Sequence, residues 1–372
     1  MSLLELHNVT KQFGDLVAVE DASFEVSDGE FVSILGPSGS GKSTILRMIA
    51  GFETPTSGEI HIENRDVVGV PPFERDVNMV FQSLALFPHL TVAENIAYGL
   101  KNRGVPKGER EDRIERMLEM VRLDGYGERD PTELSGGEQQ RVALARAVVN
   151  EPNIVLFDEP LASLDRKLRQ HMQVELQRIQ TETDITFLYV THDQEVAMSV
   201  SDRMVLLNDG AIEQIGTAEE LYKQPRSRFV ADFIGDVNTV PGSVVARQNG
   251  QAIIELGDSR FPFDAGNIVD GGRDTLDVDS VAVCVRPEGV KLSDTRGDSF
   301  ALPGRVRNRI YRGDQVSYII ETDVGTLLAN TTIAGFGVGD QVYTTWDQES
   351  THVFASESEE AIEASGAGVG GA

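Results

Sequence analysis

The chain has 372 residues, of which 40% are hydrophobic, and its formal net charge is −27. This length exceeds what one hydrophobic core usually organises, so we expect at least two domains. No apolar run reaches the roughly 18 residues that a membrane-spanning helix needs, and residues 1–8 lack the pattern of a signal peptide. Cys284 is the single cysteine, which excludes an internal disulfide and favours a reducing, intracellular environment.

The charge balance indicates the habitat of the protein more than its activity. Only 7 of the 33 basic residues are lysine. An acidic excess with little lysine is typical of proteins from salt-loving organisms, where screening offsets self-repulsion. An ordinary well-hydrated surface is the alternative interpretation. With no basic stripe to displace counterions, the chain is not expected to bind nucleic acid.

Residues 1–235 alternate short β-rich runs with longer helical patterns, which predicts an α/β domain. We expect strands at Phe31–Leu35 and at residues 154–157, 186–190 and 204–207. Helices are expected at Lys42–Ala50 and at residues 109–121, 138–149 and 164–181. Thr91 and Glu94 have the spacing of a capping box that begins a further helix. Apolar residues at helical spacing within 164–181 predict a core-facing stripe.

The pattern of predicted secondary structure changes near residue 235. Five short β runs with glycine turns follow, at residues 281–285, 305–309, 316–321, 326–329 and 341–346. This pattern predicts a small all-β barrel or sandwich over residues 236–355. The acidic and glycine-rich tail, residues 356–372, is expected to be disordered.

The run Gly36-Pro37-Ser38-Gly39-Ser40-Gly41-Lys42-Ser43 lies between a predicted strand and a predicted helix, the context that a P-loop requires. Small residues allow successive backbone N–H groups to face a β-phosphate, aided by the helix dipole. We expect Lys42 to reach the β- and γ-phosphates of ATP and the Ser43 hydroxyl to bind Mg²⁺. Thr44 is expected to support the phosphates.

Four further positions are candidates for the nucleotide site. Asp158 and Glu159 end a predicted buried strand, and sheet topology brings such strand ends beside a P-loop. Asp158 is expected to hold the Mg²⁺ hydration shell and Glu159 to deprotonate the attacking water. Gln82 and His192 also follow predicted strands; Gln82 is a candidate contact of Mg²⁺ and water, and His192 of the γ-phosphate. The alternative interpretation is that each of these four residues is an ordinary capping or surface residue without a role in nucleotide binding.

Two more features concern the nucleotide. Phe13 precedes the P-loop and is a candidate for stacking on adenine, although an aromatic there is by default part of the core. The run Leu134-Ser135-Gly136-Gly137-Glu138-Gln139-Gln140 opens a predicted helix, so Ser135 and Gly137 form a second anion site. Two phosphate-binding helix starts exceed the needs of one nucleotide, which points to a second copy of the chain.

Together these residues resemble the ATPase subunits of ATP-binding cassette (ABC) transporters. Gln82 is similar to the Q-loop residue, the run 134–140 to the signature motif, and His192 to the switch histidine. Residues 154–159 resemble the Walker B strand, and Ser163-Leu164-Asp165 the D-loop. The resemblance implies a P-loop NTPase cassette over residues 1–235 with a helical subdomain at about 85–150. It further implies that Ser135 and Gly137 bind the γ-phosphate held by the partner subunit, with Asp165 at the same dimer seam.

The resemblance also implies the cellular setting. Such cassettes are homodimers on the cytoplasmic face of the membrane, attached to permease subunits and served indirectly by an extracytoplasmic solute-binding protein. The apolar loop at residues 83–90 would form part of the groove that receives a permease helix, although it also fits ordinary core. Residues 236–355 resemble the OB-like TOBE domain of import ATPases, through residues 285–288 and 310–314.

The transported solute is the most open part of the prediction. Residues 185–195 and 233–238 look most like the spermidine/putrescine (polyamine) import type, and sugar, ferric-ion and thiamine importers are alternatives. A P-loop kinase or GTPase is a rival class, but the signature motif argues against it and no Asn-Lys-x-Asp segment is present. A soluble ABC protein that acts on ribosomes or DNA is the other rival. Such proteins carry two cassettes or long coiled coils, which this chain lacks.

Overall fold

A computed structural model describes residues 2–162, 164–269, 279–297, 300–332 and 335–356. The chain divides into two compact units, Met1–Glu220 and Leu221–Ala372. Ser163 and all of the predicted tail beyond Ser356 lie outside the described residues. Within the described part of the chain, no helix is both long enough and apolar enough to span a membrane.

The first unit contains ten strands and six complete helices among its described residues. The strands are β1 (Ser2–Phe13), β2 (Leu16–Ser27), β3 (Phe31–Leu35), β4 (Ser57–Ile62), β5 (Arg65–Asp66), β6 (Val77–Val80), β7 (Ile154–Asp158), β8 (Thr186–Thr191), β9 (Arg203–Asn208) and β10 (Ala211–Gly216). The helices are α1 (Lys42–Ala50), α2 (Val92–Asn102), α3 (Lys107–Met120), α4 (Gly136–Val148), α5 (Arg166–Thr183) and α6 (Gln194–Val200). Helix α7 (Ala218–Lys223) crosses the division between the units.

The central sheet of the first unit has six strands in the order β10-β9-β3-β8-β7-β6. All neighbouring pairs are parallel except the edge pair β10 and β9. Because parallel strands share one direction, the carboxyl ends of β3, β7 and β8 meet at one edge of the sheet. The predicted α/β fold of this region is confirmed.

Successive residues of the central strands pack into different cores, one on each face of the sheet. Val155 and Phe157 of β7 pack with α2, α4 and α5 on one face. Ile154 and Leu156 pack on the other face with α1 and the four-stranded antiparallel sheet β2-β1-β4-β5. The predicted core stripe of α5 is confirmed, since Met172, Leu176 and Ile179 are buried in the first of these cores.

The sequence patterns predicted the helices of the first unit better than the strands of its antiparallel sheet. The capping box of Thr91 and Glu94 is present at the start of α2, as predicted. The four strands β1, β2, β4 and β5 were not predicted. Register shifts in the pairing of β1 with β2 interrupt the alternation of buried and exposed residues, which removes the period that identifies a strand.

The second unit is built mainly from strands. Besides α8 (Arg228–Phe233) it contains β11 (Asn238–Gln248), β12 (Gln251–Leu256), β13 (Ser259–Asp264), β14 (Ile268–Val269), β15 (Ser280–Val285), β16 (Lys291–Ser293), β17 (Leu302–Tyr311), β18 (Val316–Thr322), β19 (Gly325–Thr331), β20 (Gln341–Thr345) and β21 (Thr351–Ala355). These form a six-stranded and a five-stranded sheet. Val240 and Val283 of one sheet and Tyr318 and Val342 of the other belong to one shared core, as in a small barrel or sandwich.

The second unit begins earlier in the chain than the predicted boundary near residue 235. Arg286 supplies the physical reason, because its guanidinium donates to the carbonyl oxygens of Ala231, Gly235 and Asp236 at 2.8, 3.2 and 3.1 Å. These bonds attach the segment after α8 to the β-rich unit. The segment therefore packs with the unit that follows it in sequence.

Candidate active site

The predicted P-loop joins β3 to α1 in a tight path that requires glycine at two positions. Gly36 and Gly41 have φ values of +153° and +96°. A Cβ on Gly36 would lie 2.3 Å from the carbonyl oxygen of Leu207, and one on Gly41 would lie 2.3 Å from that of Ala18. Side chains at these positions would push the loop away from its neighbours. The loop is thus fixed at the N terminus of α1, where the helix dipole favours an anion.

Lys42 lies over this loop and is almost fully buried, with 5% of its surface exposed. Its Nζ donates to the carbonyl oxygens of Gly36 and Pro37 at 2.8 and 2.7 Å. Burial lowers the pKa of Lys42, while the carboxylates of Glu159 and Asp158 act in the opposite direction. The ammonium group is therefore held inside the loop, near the position of the expected phosphates.

The ends of β3, β7 and β8 bring the predicted polar residues together. The Ser43 hydroxyl donates to Asp158 Oδ1 at 2.9 Å. Glu159 has a φ of +48°, and its backbone N–H donates to the carbonyl oxygen of Val190 at 3.1 Å. His192 Nδ1 lies 3.0 Å from Glu159 Oε1. A hydroxyl, two carboxylates and an imidazole thus converge beside Lys42.

Gln82 and Phe13 lie at the margins of this group. Val80 of β6 is paired with Phe157 of β7, which places the chain after β6 beside Asp158. The Gln82 side chain is exposed. Phe13 ends β1 with 44% of its surface exposed, and Lys11 Nζ lies 4.7 Å from the centre of its ring. Both side chains remain accessible to a ligand.

Ser135, Gly137 and Asp165 occupy helix starts away from these contacts. Ser135 caps α4, and its hydroxyl donates to Glu138 Oε2 at 2.7 Å, which helps to lower the pKa of Glu138. Asp165 caps α5 by accepting from the Leu168 N–H at 3.0 Å. Among the described residues, no hydrogen bond joins Ser135 or Asp165 to the P-loop. Within the described residues of one chain, the second predicted phosphate site is therefore not linked to the first by a hydrogen bond of Ser135 or Asp165.

Two residues that received no individual role in the sequence prediction connect these regions. Gln140 of α4 is buried, and its Nε2 donates to the carbonyl oxygen of Pro160 at 2.6 Å, directly after Glu159. Arg169 of α5 donates to Asp193 Oδ2 at 2.7 Å, directly after His192. The sequence signal for Gln140 was its place at the end of the run 134–140. No local pattern identifies the long-range pair of Arg169 and Asp193.

The loop at residues 83–90 is held by polar side chains of two helices. Asn95 of α2 accepts from the Phe87 N–H at 2.8 Å and donates to the Phe87 carbonyl oxygen at 3.1 Å. Arg146 of α4 donates to the carbonyl oxygens of Leu84 and Ala85, both at 2.7 Å. Leu84 and Ala85 have φ values of +59° and +47°, so these bonds stabilise an unusual backbone. Helix α4, which Ser135 caps, therefore also holds the loop after Gln82.

Comparisons with known proteins agree with this geometry. Residues 19–162 match the family model described as ABC transporter, and residues 283–354 match the TOBE domain. The chain is 47% identical to the spermidine/putrescine import ATP-binding protein PotA of Rubrobacter xylanophilus, over 92% of this chain and 91% of that protein. It is 45% identical to the Fe(3+) ions import ATP-binding protein FbpC of Brucella abortus, over 86% of this chain and 88% of that protein.

A solved structure shares the fold of the first unit. It is the dimeric post-hydrolysis state of the ATP-binding cassette MJ0796, bound to ADP and Pi. The TM-score is 0.52 at 36% sequence identity, and the match covers 57% of this chain and 98% of that one.

Proposed function

Because the chain belongs to the ABC transporter family, we propose that it is the ATP-hydrolysing subunit of an import complex that takes up polyamines. The observation that carries the proposal is the 47% identity, over 92% of the chain, to a spermidine/putrescine import ATP-binding protein. The P-loop, the Asp158–Glu159 pair and His192 supply the chemistry of ATP hydrolysis. The TOBE domain follows the cassette.

Ferric-ion import is the second candidate function. It is favoured by the 45% identity to the Fe(3+) ions import protein over 86% of the chain. The two functions share the same ATPase chemistry, because the solute passes through the permease and not through the cassette. The polyamine proposal has the support of higher identity and longer coverage.

The nucleotide lies along the P-loop in this proposal. Gly36, Ser38, Gly39, Ser40 and Gly41 supply the backbone cradle, with Lys42 on the β- and γ-phosphates and Thr44 beside them. Lys42 exchanges its two carbonyl acceptors for phosphate oxygens, which are better partners for a buried ammonium group. The exposed ring of Phe13 stacks on adenine.

Mg²⁺ fits the oxygen groups at the end of β7. The Ser43 hydroxyl and the Asp158 carboxylate are 2.9 Å apart, and hydroxyl and carboxylate oxygens are the ligands this hard cation prefers. Ser43, Asp158 and the accessible amide of Gln82 would hold the ion and its water. When bound, Mg²⁺ neutralises charge on the β- and γ-phosphates.

Glu159 accepts the proton of the attacking water as general base. Its carboxylate is oriented by His192, whose Nδ1 lies 3.0 Å from Glu159 Oε1 and whose side chain is 57% exposed. The imidazole therefore has a second ring nitrogen available to the γ-phosphate. Positioning and charge stabilisation supply most of the catalysis in phosphoryl transfer, and these two side chains serve both.

The working unit is a homodimer. The dimeric state of the related cassette supports this, and so does Ser135, which caps its own helix and makes no hydrogen bond to the P-loop among the described residues. Ser135, Gly137 and Asp165 of one subunit then complete the ATP site of the other across an isologous interface. ATP binding closes the dimer and hydrolysis opens it.

The ATPase binds permease subunits at the cytoplasmic face of the membrane as a peripheral protein, and the extracytoplasmic solute-binding protein acts on it indirectly. An apolar surface near the loop at residues 83–90 supports this placement. The ring centroids of Phe87 and Tyr98 lie 4.5 Å apart, and those of Phe52 and Phe81 lie 6.0 Å apart. Tyr98, Phe52 and Phe81 are exposed, as expected of a groove for an amphipathic permease helix.

Disruption of the coding sequence in the source organism tests the substrate. We expect uptake of radiolabelled spermidine to fall at least about tenfold and to return with the wild-type chain but not with Glu159→Gln, because the base is lost. Unchanged spermidine uptake together with lost iron-55 uptake would contradict the polyamine proposal and favour the ferric-ion function. If neither spermidine uptake nor iron-55 uptake were lost, both candidate functions would be contradicted.

A further inference from the structure

A group of two histidines and two glutamates lies on the antiparallel sheet of the first unit. Glu5 and His7 belong to β1, and Glu59 and His61 belong to β4. The pairing register sets Glu5 opposite His61 and His7 opposite Glu59. Glu5, His7 and His61 each place one ligand atom within 4.8 Å of the others. None of these residues takes part in the proposed ATPase chemistry.

The sheet holds these side chains on one face. Leu4, Leu6, Ile60 and Ile62 alternate with them along the two strands and are buried in the core beneath the sheet. Because side chains alternate between the two faces of a strand, the polar set is fixed on the opposite face. The pairing is uninterrupted from Leu4 to His7, and the register shift comes only after His7. The pairing of β1 with β4 under the cluster is therefore regular, whereas the pairing of β1 with β2 shifts register between Leu6 and Val9.

The atoms of the cluster already approach each other closely. His7 Nε2 lies 2.9 Å from Glu5 Oε2, and His61 Nε2 lies 3.1 Å from Glu59 Oε2. The two imidazole rings have centroids 5.5 Å apart and planes at 81°, so they are not stacked on each other. Ligand atoms around a tetrahedral zinc ion are about 3.3 Å apart, given bonds of roughly 2.0–2.1 Å. Small side-chain rotations bring the cluster to that spacing.

We infer that Glu5, His7 and His61 form a binding site for a zinc-like divalent transition metal, with Glu59 available as a fourth ligand. Imidazole nitrogen with carboxylate oxygen is a ligand set that suits Zn²⁺ and neighbouring transition metals rather than Mg²⁺ or Ca²⁺. Four ligands from two paired strands match the tetrahedral coordination of zinc. A bound ion crosslinks β1 to β4 and stabilises the folded sheet.

Calorimetric titration of the full-length chain with Zn²⁺ alone tests the site. The protein carries no histidine tag, is first treated with a chelator, and contains no nucleotide. We expect one ion per chain and a rise in melting temperature with Zn²⁺. His61→Ala and His7→Ala each weaken binding at least about tenfold, which even the loss of an outer-shell partner costs a metal site. Tetrahedral absorption bands with Co²⁺ give a second measurement.

Two control variants separate this site from others. His171→Ala removes an exposed histidine from α5 and should bind Zn²⁺ as the wild type does. Asp158→Asn alters the proposed Mg²⁺ position and should also retain the zinc site. His61→Gln removes the imidazole ring with little change in side-chain size. It therefore tests the loss of the metal ligand even if an alanine variant fails to fold. No saturable binding to the wild type, or binding unchanged in His61→Gln, would overturn the inference.

Discussion

Glu159 is held by its neighbours in a backbone conformation that non-glycine residues seldom adopt. Its φ of +48° and the bond from its N–H to Val190 place the carboxylate against His192. We expect Glu159→Gln to lower the ATP hydrolysis rate roughly 10²–10⁴-fold, the usual effect of losing a general base. ATP binding should persist, and light scattering should show an ATP-trapped dimer.

Glu151→Gln is the matched control for this change, because it removes the same charge from a largely exposed position. Its hydrolysis rate should equal that of the wild type. Wild-type turnover in Glu159→Gln would remove Glu159 from its role, whereas equal losses in both variants would indicate a general effect of charge.

Cys284 gives the second unit a pH-dependent stability. Burial raises the pKa of its thiol from 9.0 to about 11. Folding therefore favours the protonated thiol, and its contribution to stability is complete below pH 9 and is lost as the pH rises toward 11. We expect the free energy of unfolding to fall more steeply over this window in the wild type than in Cys284→Ala, by up to about 1.4 kcal/mol per pH unit.

Denaturant titrations at several pH values measure this slope. Trp346 is the single tryptophan of the chain and lies in the core of the second unit, so its fluorescence follows the unfolding of that unit. All other ionisable groups are the same in the two proteins and cancel in the comparison. Parallel pH profiles for the two proteins would contradict the raised pKa of the thiol.

At the scale of elements, polar side chains at helix starts set several boundaries. The capping box of Ser135 and Glu138 begins α4 at Gly136, before the predicted start at residue 138. Asp165 caps α5, which begins at Arg166 rather than at residue 164. Residues with expected roles at the dimer interface therefore also fix their own helices. A substitution of Ser135 would therefore affect both the start of α4 and the proposed dimer interface.

Gln140 connects α4 to the end of β7 and is expected to affect catalysis. Its Nε2 donates to Pro160 beside the proposed base, while its buried Oε1 has no hydrogen-bond partner in the described structure. Gln140→Met would leave the Pro160 carbonyl unpaired but would also remove that unpaired oxygen, so stability should change little. We expect kcat to fall about tenfold, which corresponds to roughly 1.4 kcal/mol and to one hydrogen bond that positions Glu159.

Steady-state hydrolysis assays with thermal melts test this role. Gln177→Met is the control, because Gln177 also donates to a backbone carbonyl, that of Ser199, at 2.7 Å. It should keep its wild-type kcat. If Gln140→Met lowered the melting temperature sharply and left kcat unchanged, Gln140 would be structural only.

At the scale of the whole molecule, the proposed shared site can be tested by mixing chains. Ser135→Arg and Lys42→Ala should each be inactive alone. A mixed dimer joins the intact P-loop of one chain to the intact Ser135 of the other, and so contains one complete site. Equal mixing should restore about a quarter of wild-type activity, since about half of the dimers are mixed and each has one of two sites.

The control for mixing is a chain that carries both substitutions, which cannot complete a site with Lys42→Ala. That mixture should stay inactive at every ratio. Failure of the first mixture to recover activity, or full activity of Ser135→Arg alone, would contradict the shared site.

The proposed salt-loving origin remains a prediction, and it concerns the same acidic surface that gives the chain its charge of −27.

The motifs, the α/β character of the first unit and the β-rich character of the second could all be predicted from the sequence. These predictions follow from local spacing, because the residues that identify a P-loop, a capping box or a core stripe lie near one another in the sequence. The contacts between residues far apart in the chain became known from the three-dimensional fold. Strand order and helix packing bring three such pairs into contact: Ser43 with Asp158, His192 with Glu159, and Gln140 with Pro160. No local pattern encodes such contacts, because they depend on how the whole sheet is assembled.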